Sequence, residues 1–378
     1  MNNNRLLSLD AFRGFDMLWI MGGEELVAAI AILLGFPKFD AECFNHVVWE
    51  GVNFMDTIFP TFLFLAGVSF PFSAAKSAEK GLSRGQIAWR AVRRGLILVA
   101  LGLVYDGFLM ELNFANFRIP SVLGFIGIGW MVAALIYLYV RNVFARVAIA
   151  LGLLAVTTLV FGFIEAPDAA AVFAAHPEFA MTGTFSPSGN LGCYFDRLMM
   201  GAHLLNPNFF DNEGTAGLMP GVVTAMLGMF AGDIVRRGGN AATGKKALAL
   251  LACAIVSALA GWLLSGFYPI VKKLWSPSFA LVVGGYSFAM FALFYWIIDV
   301  KGFRRWPYFF VVIGVNSITI YLAQAIVRFD NANKFIFGGL AKLMPTAQWG
   351  DVLLSVSYIL VCWIFLCFLH RKNIHLKV

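Results

Sequence analysis

Residues 52–75 read VNFMDTIFPTFLFLAGVSFPFSAA, and this stretch decides the fold class. One charge, Asp56, interrupts it near its start, and Lys76, Lys80 and Arg84 follow directly. A helix needs about 20 mainly apolar residues to cross the hydrocarbon core of a bilayer, so the stretch is long enough to span. Comparable runs lie near residues 6–24, 90–109, 119–140, 147–164, 216–235, 247–267, 278–299, 307–327 and 350–369. The expected fold is an all-α polytopic membrane protein: a bundle of about ten transmembrane helices, forming one domain over residues 1–378. Composition agrees. Hydrophobic residues make up 60% and charged residues 13%, against about 45–50% and about 25% in soluble domains.

Charge orients the bundle. With the amino terminus placed in the cytoplasm and sides alternated, the basic clusters all fall inside: Lys76 to Arg94, Arg141 and Arg146, Arg236 to Lys246, Lys301 to Arg305, and Arg371 to Lys377. The outer segments keep scattered cations such as Lys38, Arg118, Arg197 and Lys272. This is the positive-inside pattern. It places both termini in the cytoplasm of what is expected to be a bacterial inner membrane. It also accounts for the net charge of +7 without a nucleic-acid partner. The partner the composition demands is the lipid bilayer. Arg5, Asp10 and Arg13 break up what would be the apolar core of a signal peptide, so the first segment is expected to stay in the mature protein.

Five cysteines do not make a disulfide framework. Cys253, Cys362 and Cys367 lie in spans and read as packing residues. Cys43 and Cys193 both fall in outer segments, where an oxidising exterior would allow a bridge. The longest non-spanning stretch runs from about Glu165 to Gly217; external on this topology, it is placed to act as a lid over an outward-facing cavity. Gly22-Gly23-Glu24-Glu25 is expected to end the first span. Each carboxylate left in hydrocarbon would cost about 2.5 kcal/mol or more. The apolar piece over residues 26–36 should then lie at the surface or re-enter.

His46, in Asn45-His46-Val47-Val48-Trp49-Glu50-Gly51, is the leading candidate for chemistry. Imidazole exchanges a proton near neutral pH, which suits catalysis or proton transport; a loop histidine that caps a helix is the plain alternative. On a helix, Glu50 at i+4 would orient the ring. Asp56 is either a site carboxylate or a first-turn carboxylate favoured by the helix dipole. Asp10 and Arg13, three apart, can pair at the cytoplasmic mouth, as a structural pair or as ligand contacts. Tyr194-Phe195-Asp196-Arg197, with His203 downstream, suits a sugar site or a solvated loop. Asn316-Ser317, followed by Tyr321 and Gln324, either bonds a neighbouring helix or lines a substrate path. No nucleotide loop, zinc motif or serine-hydrolase elbow occurs, and no metal is expected.

Several of these segments, taken in order, resemble the heparan-alpha-glucosaminide N-acetyltransferase family and its bacterial relatives with the DUF5009/YeiB-like domain. They are Ser8 to Gly14, His46 to Gly51, Asp56 to Pro60, Tyr194 to Arg197, Asn212 to Gly214, Leu274 to Ser276, Asp299 to Gly302 and Gly314 to Ser317. Where the family has Asn-Tyr-Gly-Gly, this chain has Ile20-Met21-Gly22-Gly23. The resemblance implies transfer of an acetyl group from cytosolic acetyl-CoA to an amino sugar or related glycan across the membrane, with His46 matching the essential histidine. His46, Glu50 and Asp56 are then the expected catalytic residues. Asp10, Arg13, Arg90, Arg93 and Arg94 are expected at the acetyl-CoA, and Trp49, Asp196, Arg197 and Asn316 at the acceptor. An amino sugar is mostly protonated at neutral pH, so a base must deprotonate it before it attacks a thioester. His46 could do so directly, or accept the acetyl group first and pass it on. The alternative is a proton-coupled permease for amino sugars such as N-acetylglucosamine; a structural or sensory membrane protein is a third reading. A homodimer is compatible with all of these.

Overall fold

The computed structural model describes residues 6–36, 39, 44–108, 117–179, 181–237, 242–374 and 376. Among these, helices and isolated bridges make up the regular structure. The apolar runs become α1 (Leu7–Leu18), α2 (Glu24–Leu33), α3 (Phe54–Glu79), α4 (Arg84–Tyr105), α5 (Val122–Tyr139) and α6 (Val143–Phe163). Two short helices follow, α7 (Ala169–Ala175) and α8 (Leu191–Met200). The bundle resumes with α9 (Leu218–Arg236), α10 (Gly244–Ser265), α11 (Pro277–Phe294), α12 (Tyr308–Val315) and α13 (Ser317–Ile326). It closes with α14 (Phe329–Ala341) and α15 (Ala347–Arg371).

Among the described residues, seven helices are long and apolar enough to cross a bilayer, and α12 with α13 makes an eighth if the bent pair is one span. The expected count of about ten is higher for two physical reasons. The first run does not form one long helix: α1 has 12 residues and passes through a π turn, Trp19–Gly23, into α2. The third run, α4, carries Arg84, Arg90, Arg93 and Arg94 within its helix.

The expected end of the first span is found as a kink. Gly22 has φ +122°, which only glycine adopts readily, and a Cβ there would press on the Tyr358 ring of α15 at 3.0 Å. Past the kink the chain resumes as α2, which packs beside α15. A reciprocal glycine contact sets another crossing: a Cβ on Gly14 would lie 1.8 Å from the Phe310 carbonyl oxygen, and one on Gly314 would lie 1.9 Å from that of Asp10. Only hydrogen at both positions lets α1 and α12 touch backbone to backbone. At Asn316 the axis then turns by 69° into α13.

Outward faces are apolar, as lipid requires: Phe144, Leu151 and Leu159 on α6, and Leu248, Val256 and Leu263 on α10, are exposed. Polar groups turn inward and bond across helices, as Thr61 does with Ser287 at 2.9 Å.

The stretch expected as an outer lid is a packed cap. Trp49 from the His46 loop joins Cys193, Phe209, Phe210, Val271 and Leu274 in one apolar cluster. Arg197 clamps it, donating to Asp168 at 2.6 and 2.9 Å and to the carbonyls of Pro187, Ser188 and Phe209 at 3.1 Å each. A second clamp joins Arg118 to Asp211 at 2.6 and 3.0 Å and to Glu213. Cys193 is buried; Cys43, its expected partner, lies outside the described residues.

Candidate functional site

The segment carrying His46 is irregular, so the helical i+4 pairing with Glu50 does not form. Glu50 instead makes an isolated antiparallel bridge with Val271 and is exposed. Its neighbour Gly51 donates from N to the Ile270 carbonyl at 2.8 Å. Two aromatic anchors flank the loop: Phe44 and Phe54 pack on Trp19 of the kink, with ring centroids 5.7 and 4.6 Å away. Trp49 is buried and donates from Nε1 to the Phe185 carbonyl at 2.8 Å, which ties the loop to the cap.

The ring partner of His46 is Asp56, with Nδ1 2.7 Å from Oδ1. Asp56 is fully buried at the first turn of α3, while the His46 side chain is 54% exposed. The carboxylate is held from several sides. Oδ2 accepts from Asn53 N at 3.0 Å, closing a capping box, and from Val47 N at 3.3 Å. Lys272 Nζ stands 3.1 Å from Oδ1 and 3.0 Å from His46 Nδ1. An Nδ1 proton donated to Asp56 leaves Nε2 with its lone pair as the available base. Lys272 then donates to the carboxylate, because an Nδ1 that carries a proton cannot accept.

Sequence reasoning counted Lys272 as a scattered outer cation. It is 226 residues from His46, and the Glu50–Val271 bridge delivers it. The signal adjoining it was Leu274-Trp275-Ser276. Trp275 has the left-handed backbone φ 46°, ψ 51°, uncommon for a bulky residue, and it is locked by Nε1 donation to Thr224 Oγ1 at 3.1 Å. This corner aims Lys272 at the loop and the following helix, α11, into the bundle. Burial lowers the Lys272 pKa, and nearby Asp56 opposes that shift.

A second region lies within the bundle: a cavity of about 270 Å³ between α1, α3, α4, α5 and the α12–α13 bend. Arg13, Arg94, Trp130, Asn316 and Tyr321 line it together with apolar side chains. Arg94 lies over the Trp130 ring, 4.6 Å from its centroid, and its buried Nε has no hydrogen-bond partner among the described residues. Arg13 donates to Ser69 Oγ at 2.8 Å and lies 3.6 Å from Asp10, the i, i+3 pair read from the sequence. Arg90 and Arg93 are exposed and do not line the cavity. Asn316 sits on its wall, at the helix break.

Asp196 and Arg197 belong to the frame of the cap. Among the described residues the bonds Arg197 makes go to Asp168 and cap carbonyls, and Asp196 accepts from the Thr215 backbone N at 2.8 Å and from its hydroxyl. Burial pushes the Asp196 carboxyl up to about 6 and that of Glu213 up to about 7, the latter against the attraction of Arg118. His46, Asp56 and Lys272 are thus assembled at one place, Arg13, Arg94 and Asn316 at another, and α1 with its kink borders both. Among the described residues no cluster of three or more histidine, cysteine or carboxylate side chains could hold a metal.

No family model matches this chain. Among curated proteins it is 27% identical to human heparan-alpha-glucosaminide N-acetyltransferase, over 99% of this chain and 60% of that one. Identity to the mouse enzyme of the same name is 26%, over 99% of this chain and 61% of that one. The chain is therefore a distant homologue of heparan-alpha-glucosaminide N-acetyltransferase, a likeness at the level of the family, and spans about 60% of the length of these relatives.

Proposed function

We propose that this chain is a transmembrane N-acetyltransferase that moves an acetyl group from cytosolic acetyl-CoA to an amino sugar or related glycan on the opposite side of a bacterial inner membrane. The observation that carries this reading is the half-exposed His46 ring held at 2.7 Å by a fully buried carboxylate. His46 Nε2 takes the proton of the attacking amine and returns it to the departing thiolate, or accepts the acetyl group and relays it. Asp56 fixes the tautomer, and Lys272 pairs with the same carboxylate at 3.1 Å. The distant homology supports acetyl-CoA as donor.

The bundle cavity suits the donor chemically: Arg94 brings an unsatisfied Nε and Arg13 a second guanidinium for an anionic group, while the apolar walls suit an acyl-pantetheine arm. Leu376, near the carboxyl terminus, lines this cavity with Arg13, which favours both termini on the donor side. The eight spans that pass by length and apolarity, with α1–α2 and α4, make ten crossings in this reading. Trp49, Asp196 and Arg197 serve it as the frame around His46, and Asn316 as part of the cavity wall.

A permease for amino sugars such as N-acetylglucosamine is the second reading, favoured by the broken α12–α13 pair at a cavity, a device of transporters. Inside-out vesicles with an amino sugar trapped in the lumen and labelled acetyl-CoA outside separate the two. Label is expected in the lumenal sugar with wild type and not with His46→Ala. Uptake of free N-acetylglucosamine driven by a proton gradient, without label transfer, would replace the enzyme by the permease.

A further inference from the structure

A second cavity, of about 320 Å³, opens beside the Gly22 kink between α13, α14 and α15. Its polar lining is unusual for a helical bundle: the carboxylates Glu25 and Asp330, the amides Gln324 and Asn333, the phenol Tyr358 and the amine Lys334. Asn333 is 4% exposed. Its Nδ2 donates to the Leu354 carbonyl at 2.9 Å, which fixes the orientation of the amide. Its Oδ1 then has no partner among the described residues, and the same holds for Gln324 Oε1, whose Nε2 donates to Tyr358 at 3.1 Å. Buried carbonyl oxygens without a donor are costly and rare, and here two belong to side chains that line one cavity.

We propose that this cavity binds a primary ammonium group. Two amide oxygens and two carboxylates are four acceptors, and a primary ammonium supplies three N–H donors with a positive charge. Lys334, within the same lining, complements an anion attached to the ligand. The cavity is far roomier than a coordinated metal ion needs. The chemistry has two sources: a water-borne amine, or the ethanolamine headgroup of a phospholipid whose chains lie along the exposed Phe335, Ile336 and Leu340 of α14. The site is distinct from His46. Glu24 and Glu25 are consecutive on α2, so their side chains diverge by about 100°. Glu24 acts on Lys272, beside His46, whereas Glu25 faces this cavity.

The test uses the full chain in two settings. In phosphatidylcholine nanodiscs it is titrated with radiolabelled ethanolamine, with choline as competitor. In detergent it is offered phosphatidylethanolamine and phosphatidylcholine, and the retained lipid is read by native mass spectrometry. At least one ethanolamine form should bind saturably, and choline, which has no N–H, should not compete. Glu25→Gln with Asp330→Asn, both at exposed positions, should weaken binding roughly tenfold or more while the thermal midpoint confirms folding. Binding of free ethanolamine assigns the water-borne source, and retention of the lipid alone assigns the headgroup. Equal binding of choline forms, undiminished binding in the folded double variant, or no saturable binding in either setting would overturn the site.

Discussion

Arg197 in the cap and Arg94 in the bundle are both arginines turned inward, and they differ in what their N–H groups meet. Arg197 reaches a carboxylate and three carbonyls, at 2.6 to 3.1 Å. Arg94 lies on the face of Trp130 with a buried Nε that has no partner among the described residues, beside a cavity it shares with Arg13. A guanidinium whose bonds close within the protein holds the fold together. One stacked on an aromatic with such an Nε is, in the proposed function, kept for the acetyl donor. The cap and its loop supply a rigid frame around the His46 ring; the bundle cavity has beside it the Arg94 Nε, without a partner among the described residues.

The strongest way to break this contrast is at His46. Replacement by alanine should lower acetyl transfer by about 10²–10⁴-fold, the worth of general-base catalysis, with the thermal midpoint nearly unchanged. Acetyl-CoA binding, measured by equilibrium dialysis, should survive; loss of rate and binding together would merge the two regions into one. Next is Arg197→Met. Breaking this pair should cost about 2–3 kcal/mol, below the full value for a buried ion pair because Asp168 keeps partial solvent contact. Hydrogen exchange should report it as early opening of the cap, with donor affinity unchanged in the folded fraction. Arg94→Met should do the reverse: the methionine still packs on Trp130, stability holds, and acetyl-CoA binding weakens roughly tenfold. A cap that stays closed in Arg197→Met, or unchanged donor affinity in Arg94→Met, would erase the distinction.

The smallest effect concerns pH. Folded Glu213 keeps its proton to about 7, against an ordinary value of 4.5. Between those values the folded chain binds more protons than the unfolded chain, so stability falls as pH rises through that window. Glu213→Gln should flatten the fall in thermal midpoint, leaving a residual slope from Asp196, whose window runs from 3.8 to about 6. An unchanged slope would mean that Glu213 is ionised within the frame.

The helical class was legible because apolar run length is a direct physical requirement of the bilayer. Span count was less so: a π turn and a row of arginines each hide a helix from a length-and-apolarity rule. His46 and Asp56 could be nominated from sequence, yet whether Glu50 or Asp56 positions the ring stayed open, because the choice depends on a loop conformation that periodicity does not encode; the structure pairs the ring with Asp56. Lys272 reaches the loop only through a backbone bridge between distant segments. Arg90, Arg93 and Arg94 looked equivalent as charges. Helical rotation separates them, because residue 93 and residue 94 point about 100° apart, and only Arg94 turns toward Trp130. Asp196 and Arg197 looked like solvated loop residues or sugar contacts, since nothing local marks Thr215 as the donor to Asp196, or Asp168 and the cap carbonyls as the acceptors of Arg197.

The glycine crossing of α1 and α12 has a mechanical consequence. Because each helix occupies the place of the other's missing side chain, the near half of the broken span is pinned to the first helix like a clamped beam. The 69° elbow at Asn316 lies just beyond that clamp, and α13 past it is held by side chains, Tyr321 stacked on Tyr105 and Gln324 donating to Tyr358. A swing of α13 about Asn316 that changed the width of the cavity would have to break those two contacts, while the pinned α12 kept its place against α1.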